Sequence, residues 1–170
     1  MAGPVVPSGK GPWAMDSSPT RVEHGPMTFS SPAPARRGTL VPIAEAECWQ
    51  LMDTTTVGRL AFTSDDGIVI LPVNFLVHEE RIYVRTEAGS TIAALADGND
   101  DVAFEIDYHD DLNQSGWNVL VKGSAAIAET LEGERALAST GRLGPWAPGN
   151  RSLIIKLTPR SLGGRRVSLR

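Results

Sequence analysis

Residues 57–86 read VGRLAFTSDDGIVILPVNFLVHEERIYVRT, and this stretch decides the fold. Val57 to Thr63 is rich in β-forming side chains and carries Leu60 and Phe62 at a period of two, the mark of a half-buried strand. Ser64-Asp65-Asp66-Gly67 is a turn made of residues that bond their own backbone or accept unusual φ. Ile68 to Val77 is a long apolar strand interrupted by Pro72, whose missing N–H confines it to an edge or a bulge. His78-Glu79-Glu80 turns the chain again, and Arg81 to Thr86 returns it. Three strands joined by tight turns form an antiparallel meander.

Towards the C-terminus, Ser90 is placed to cap a short helix through Ile92, Ala93, Leu95 and Ala96, ended by Gly98. Asp101 to Asp107 is a fourth strand, 108–115 a polar loop, and Trp117 to Ala128 a fifth strand bent at Gly123. A helix around Leu131 to Ser139 follows, weakened by Gly133. After a Gly/Pro loop over 140–150, Arg151 to Thr158 is the sixth strand, and Gly163 to Leu169 leaves room for a short seventh. Towards the N-terminus, Ala44, Cys48 and Leu51 recur at helical spacing. With Pro42 in a first turn and Glu45 and Glu47 at the positive end of the dipole, 42–54 reads as a helix. Residues 1–38 hold most of the twelve prolines and no periodic apolar pattern, so they are expected to be a disordered tail ahead of a single domain over 39–170.

Short strands at close spacing, with the faces Leu60/Phe62, Ile82/Val84, Phe104/Ile106 and Ile154/Lys156, hide one side best by closing on themselves. The expected fold is therefore mainly β: a six-stranded antiparallel barrel with short helices. The 170 residues suffice for one substantial core. A net charge of −4 leaves no electrostatic drive toward nucleic acid. The single cysteine, Cys48, excludes an internal disulfide and a Cys-rich zinc site, and its helical setting reads as a buried thiol. No apolar run approaches the ~18 residues of a membrane span, and the N-terminus lacks the apolar core of a secretory signal, so a cytoplasmic location is expected.

Four segments carry chemistry. Arg85-Thr86-Glu87-Ala88-Gly89-Ser90-Thr91 places an arginine and hydroxyls at a strand end, then a helix start. That arrangement suits a phosphate, or else is a capped helix beside a surface arginine. Leu71-Pro72-Val73-Asn74-Phe75 offers strand backbone freed by the proline to the rim of a planar heterocycle, or is an edge strand guarded against pairing. Trp117, in Ser115-Gly116-Trp117-Asn118, suits a core or a dimer seam. Trp146, in Pro145-Trp146-Ala147-Pro148-Gly149-Asn150-Arg151, sits on a loop where a ligand ring or a partner subunit would cover it. Asp107-Tyr108-His109-Asp110-Asp111 lacks metal-ligand spacing and reads as a solvated acidic loop, and His78 as a solvated turn residue. No nucleophile elbow, P-loop or zinc signature is present, so no catalytic residue and no metal ligand is assigned.

In order and spacing, VGRLAF, PVNF, RT…GS, SGWNVLVKG, PWAPGNR and GGRRV resemble the pyridoxamine 5′-phosphate oxidase-like flavoproteins, in particular their actinobacterial branch, over about residues 40–167. The resemblance implies an FMN-binding split barrel that dimerises, with two flavin sites between the subunits. It implies that Ile70, Leu71, Pro72, Val73 and Asn74 lie along the flavin ring, and that Arg85, Thr86, Ser90 and Thr91 hold its phosphate. Asn118 falls where relatives turn a polar side chain to the cofactor, and Trp146 and Arg151 would reach in from the partner. Many relatives carry lysine where this chain has Thr91. Losing that charged contact costs about 1.5–3 kcal/mol and keeps a deazaflavin or haem open as alternatives to FMN.

The function so implied is an FMN-dependent oxidoreductase acting on a small organic substrate, the cofactor doing the redox chemistry. The alternative is a homodimer that binds or stores a flavin, a deazaflavin or haem without turnover. Neither reading calls for nucleic acid or a membrane.

Overall fold

The computed structural model describes residues 38–140 and 152–169. Apart from Gly38, the expected tail lies outside the described residues, as do Trp146 and Arg151. The meander is present as read. β2 (Val57–Ser64), β3 (Gly67–His78) and β4 (Arg81–Thr86) are antiparallel neighbours, with Leu60 opposite Leu71 and Phe75 opposite Val84. The hairpin between β3 and β4 turns on Glu79 and Glu80, both at positive φ (48° and 57°).

Two elements differ from expectation. Residues 38–43 form a strand, β1 (Gly38–Ile43), and the first helix, α1 (Glu45–Met52), starts after it. Pro42 thus lies in a strand opposite Arg165 rather than in a first helical turn. The expected sixth strand and the short tail strand are one strand, β7 (Leu153–Leu169), which runs through Pro159. Pro159 sits where the pairing with β6 (Ser115–Ile127) shifts register, between Lys122 and Gly123. That bulge tolerates a residue with no N–H to give.

Strand order explains why the barrel still has six staves. β5 (Asn99–Asp110) joins β2 to β6, and β7 pairs with both β4 and β6, so β7-β4-β3-β2-β5-β6 closes into a ring. β1 adds to the outer half of β7 as a seventh strand. The fold is therefore an antiparallel split barrel. β5 runs to Asp110, so the acidic residues 107–110 are strand and only the tip at 111–114 turns.

The interior holds the expected faces of β2, β4 and β5, but on β7 the expected Ile154/Lys156 face lies outward and Ile155 and Leu157 are buried instead, because Ile155 is the residue that pairs with the inward Val84. Leu60, Phe104, Ile106, Ile82, Val84, Val119 and Ile155 are all buried, and Phe75 meets Phe104 edge to face at 4.8 Å. Each such side chain contributes roughly 1.5–3 kcal/mol by leaving water. Gly58 is needed there, because a β-carbon on it would overlap the Phe104 ring. α1 buries Cys48 and Met52 against the barrel, and Glu47 holds Arg166 of β7 at 2.9 Å.

The second helix, α2 (Thr130–Thr140), covers a separate small core of Leu76, Tyr83, Ala128 and Ala136 on the outer side of β3 and β4. Gly133 lets it come close, since a β-carbon there would lie 2.7 Å from Ile154. Glu132 pins the helix, accepting from Tyr83 Oη at 2.9 Å and from Lys156 Nζ at 2.7 Å. Among the described residues no helix is long and apolar enough to cross a membrane.

Candidate functional site

β3 is longer than its partner on one side. β2 pairs with it from Gly67 to Asn74, but its other neighbour β4 pairs only from Phe75 to His78. β4 ends at Thr86, and the chain turns away through Glu87–Gly89. The Gly67–Asn74 half of β3 therefore has one edge outside the ladder.

Alternation fixes which groups look out from that edge. The Phe75 amide donates to Thr56 O at 3.1 Å, so Val73 and Leu71, in phase with it, face β2. Ile70, Pro72 and Asn74 direct their backbone groups to the open edge. Pro72 thus costs the ladder no hydrogen bond, which is why an interior proline is accepted here. The side chains alternate too: Val73 and Phe75 enter the core, while Ile70, Pro72 and Asn74 lie outside.

Arg85 is the charge beside this edge. It shares the outer face of β4 with Tyr83, and continuing the β3–β4 register by one step sets it opposite Asn74. Thr86 turns the other way. It is 4% exposed, and its Oγ1 lies 2.6 Å from Ser90 Oγ. Ser90 in turn caps the 3₁₀ helix Thr91–Asp97, accepting from the Ala93 amide at 3.2 Å. Gly89, at φ +82°, makes the turn between them. The capped turn expected at Ser90 is thus present, and it engages both hydroxyls. Thr91 heads the helix and is exposed.

Ile70, Pro72 and Asn74 follow one another along the open edge of β3, Arg85 continues the register opposite Asn74, Ser90 and Thr91 lie in the turn after β4, and Leu71, Val73 and Thr86 turn inward. Asn118 stands apart. It lies on β6, three strands from β3, and at ~4.8 Å per strand that is roughly 14 Å away. Within one chain it cannot reach what Arg85 reaches.

A concavity lies across the other strands of the barrel. A groove of about 850 Å³ runs between Leu40, Asp107, Asn118, Arg165 and Val167. These residues come from β1, β5, β6 and β7, which a reading of local pattern keeps separate. The acidic run beside it is built into the structure: Asp110 accepts from the Leu112 and Asn113 amides at 3.0 Å. Bonds from Asn113 hold its carboxyl below the usual range. Cys48 is fully buried, and burial, then Glu47 and Glu45, push its thiol up, away from the reactive thiolate.

Comparison with known proteins finds relatives of the same fold. The uncharacterized protein Rv0080 of Mycobacterium tuberculosis is 29% identical over 142 residues, covering 81% of this chain and 91% of that protein. A solved FAD binding protein from Mycobacterium smegmatis is 30% identical, covers 75% of this chain and 98% of its own, and superposes with a TM-score of 0.62. A FAD-binding protein from Mesorhizobium loti, at 19% identity, shares the fold over 78% of this chain and 99% of its own, with a TM-score of 0.63. The family model described as pyridoxamine 5′-phosphate oxidase matches residues 44–166, which spans the ring from α1 to the end of the β6–β7 pairing. With that match running through every strand of the barrel, the chain belongs to the pyridoxamine 5′-phosphate oxidase family.

Proposed function

We propose that this protein binds FMN against the open edge of β3 and acts, as a homodimer, as a flavin-dependent oxidoreductase on a small organic substrate. The observation that carries the reading is the unpaired edge of Ile70, Pro72 and Asn74 with Arg85 on the same face. The relative from Mycobacterium smegmatis, named for FAD binding, supports a flavin in general. One arginine and a pair of hydroxyls suit the single terminal phosphate of FMN.

The residues present fit such a guest. The flavin would supply the transfer of hydride or electrons. The Ile70 and Asn74 backbone groups would bond the polar rim of its ring, and the side chains of Ile70 and Pro72 would keep water from one face. Arg85 would hold the phosphate, with Ser90 and Thr91 beside it. Thr86 serves by fixing Ser90. Asn118 enters only from a second copy, and the same holds for Trp146 and Arg151 as the resemblance assigns them. A second copy has an apolar face to meet: Ile68 and Ile70 are 82% and 64% exposed, with Val57 on the neighbouring strand.

The visible spectrum of freshly purified full-length protein, before and after adding FMN, tests this. Flavin bands, or quenching of FMN fluorescence at micromolar protein, are expected. Colourless protein that leaves FMN fluorescence unchanged overturns the reading, while haem or deazaflavin bands replace the cofactor. The name of the FAD binding relative also favours a second reading, binding without turnover. Bound flavin that NAD(P)H does not reduce would select it.

A further inference from the structure

On the outer face of the β6–β7 pair, Lys122 lies opposite Ser161, Leu120 opposite Gly163, and Asn118 opposite Arg165. Their in-between neighbours Val119 and Val121 are buried, and a β-carbon on Gly164 would meet Cys48. These six positions therefore face outward together. They line a niche of about 340 Å³ whose floor is Gly163, where an added β-carbon would touch nothing within 4 Å.

Two cations flank this floor from opposite sides: Lys122 is diagonal to Gly163 across the strand pair and Arg165 is two residues along β7 from it, each roughly 7 Å away, so long side chains from both can reach over the glycine. Neither Lys122 nor Arg165 has a hydrogen bond or ion pair among the described residues, whereas Arg59, Lys156, Arg160 and Arg166 each hold a carboxylate. The nearest carboxylates are spoken for. Glu105 and Asp107 stand opposite Leu120 and Asn118, yet both turn to Arg59, at 2.9 and 2.5 Å. In a chain of net charge −4, that leaves two cations, a hydroxyl and an amide around an open glycine floor.

We infer that this niche is an anion-binding site taking the phosphate or carboxylate of a small organic molecule whose apolar body lies in the adjoining groove. Asn118 and Arg165 line both the niche and the 850 Å³ groove, so the two are continuous. Beyond them the groove offers the apolar Leu40, Trp117, Val167 and Leu169 but also the carboxylates Glu105, Asp107, Asp110 and Asp111, so it suits an apolar body and repels a second negative charge. The site lies away from the edge of β3 in its own chain, and of its residues only Asn118 is one that the proposed function turns toward a flavin, that of a second copy.

The test is a titration of ¹⁵N-labelled full-length protein with inorganic phosphate, phenyl phosphate and phenol, read from backbone amide shifts. The Ser161, Gly163 and Lys122 amides are expected to move along a saturable curve, with phenyl phosphate at least ten-fold tighter than phosphate and phenol much weaker than either. The Lys122→Ala/Arg165→Ala pair should abolish the response. Gly163→Leu should block it sterically with an unchanged melting temperature, since the position is open and unstrained. Arg85→Ala should leave it intact, which separates this site from the flavin phosphate. Shifts at Gly163 that stay linear in phosphate, or that survive in the Lys122/Arg165 pair, overturn the proposal. Phenyl phosphate no tighter than phosphate removes the groove from it.

Discussion

Arg85 and Thr91 are the two positions on which cofactor affinity turns. Arg85 lies opposite Asn74 at the end of an unpaired strand edge, where a charge-assisted bond to phosphate is worth about 1.5–3 kcal/mol. Arg85→Ala should weaken FMN binding about ten- to hundred-fold in a fluorescence titration. Thr91 is exposed at the head of the 3₁₀ helix, so a longer cation can be added without disturbing the fold. Thr91→Lys should tighten FMN by about ten-fold in the same titration, the equivalent of about 1.4 kcal/mol. A tightening absent in Thr91→Lys would mean that the phosphate does not lie at this turn. At this scale the sequence was informative where a residue acts locally: the Ser90 cap and the tolerance of Pro72 both follow from their own backbone chemistry. It was silent on Thr86, whose hydroxyl turns inward to Ser90 because the strand alternates there.

Hairpins and helix anchors govern stability at the scale of elements. The turn between β3 and β4 holds Glu79 and Glu80 at φ 48° and 57°, conformations that Asn and Gly adopt at far lower cost. Glu79→Asn with Glu80→Gly should stabilise the protein by about 1–2 kcal/mol in urea unfolding, with the slope unchanged. The anchor of α2 makes a pH prediction. The bond from Lys156, and then that from Tyr83, hold Glu132 below the usual carboxylate range against the effect of burial. A carboxyl with a lowered folded pKa contributes stability above its unfolded value, and that contribution is lost as pH falls through the folded one. Glu132→Gln should therefore be less stable than the parent at neutral pH, with the gap closing below about pH 4.5. Melting curves across pH 3–7 would show it, and a gap independent of pH would discount the ion pair. Burial, then the bond to Glu132, raises Tyr83 in the opposite direction, so its hydroxyl stays protonated as a donor throughout that window.

Association sets the prediction at the scale of the whole molecule. Ile68 and Ile70 are 82% and 64% exposed on the outer face of β3, an apolar pair that a second copy would cover in the proposed dimer. Ile70→Glu should convert the dimer to a monomer by light scattering, with little change in the melt of the isolated barrel. It should also lose flavin affinity, because Asn118 would no longer be delivered across the interface. A monomeric parent protein would remove the shared site.

What the sequence determined by itself was everything written within a few consecutive residues. The period-two runs of β2 to β4, the Ser64–Gly67 turn, the Ser90 cap and the burial of Cys48 depend on side chains reading their immediate neighbours, and all are present. The tertiary structure alone decided what depends on partners far along the chain. Residues 38–43 became a strand because they pair with 164–169, although Pro42 and Glu45 imitate a helix start. Residues 153–169 became one strand because β6 runs unbroken beside them, apart from one bulge at Pro159. The open edge of β3 exists only because β4 stops short of it, and Lys122 and Arg165 flank one niche only because β6 pairs with β7 to close the barrel. Strand pairing is set by hydrogen bonds between distant segments, and no local pattern encodes which distant segment arrives.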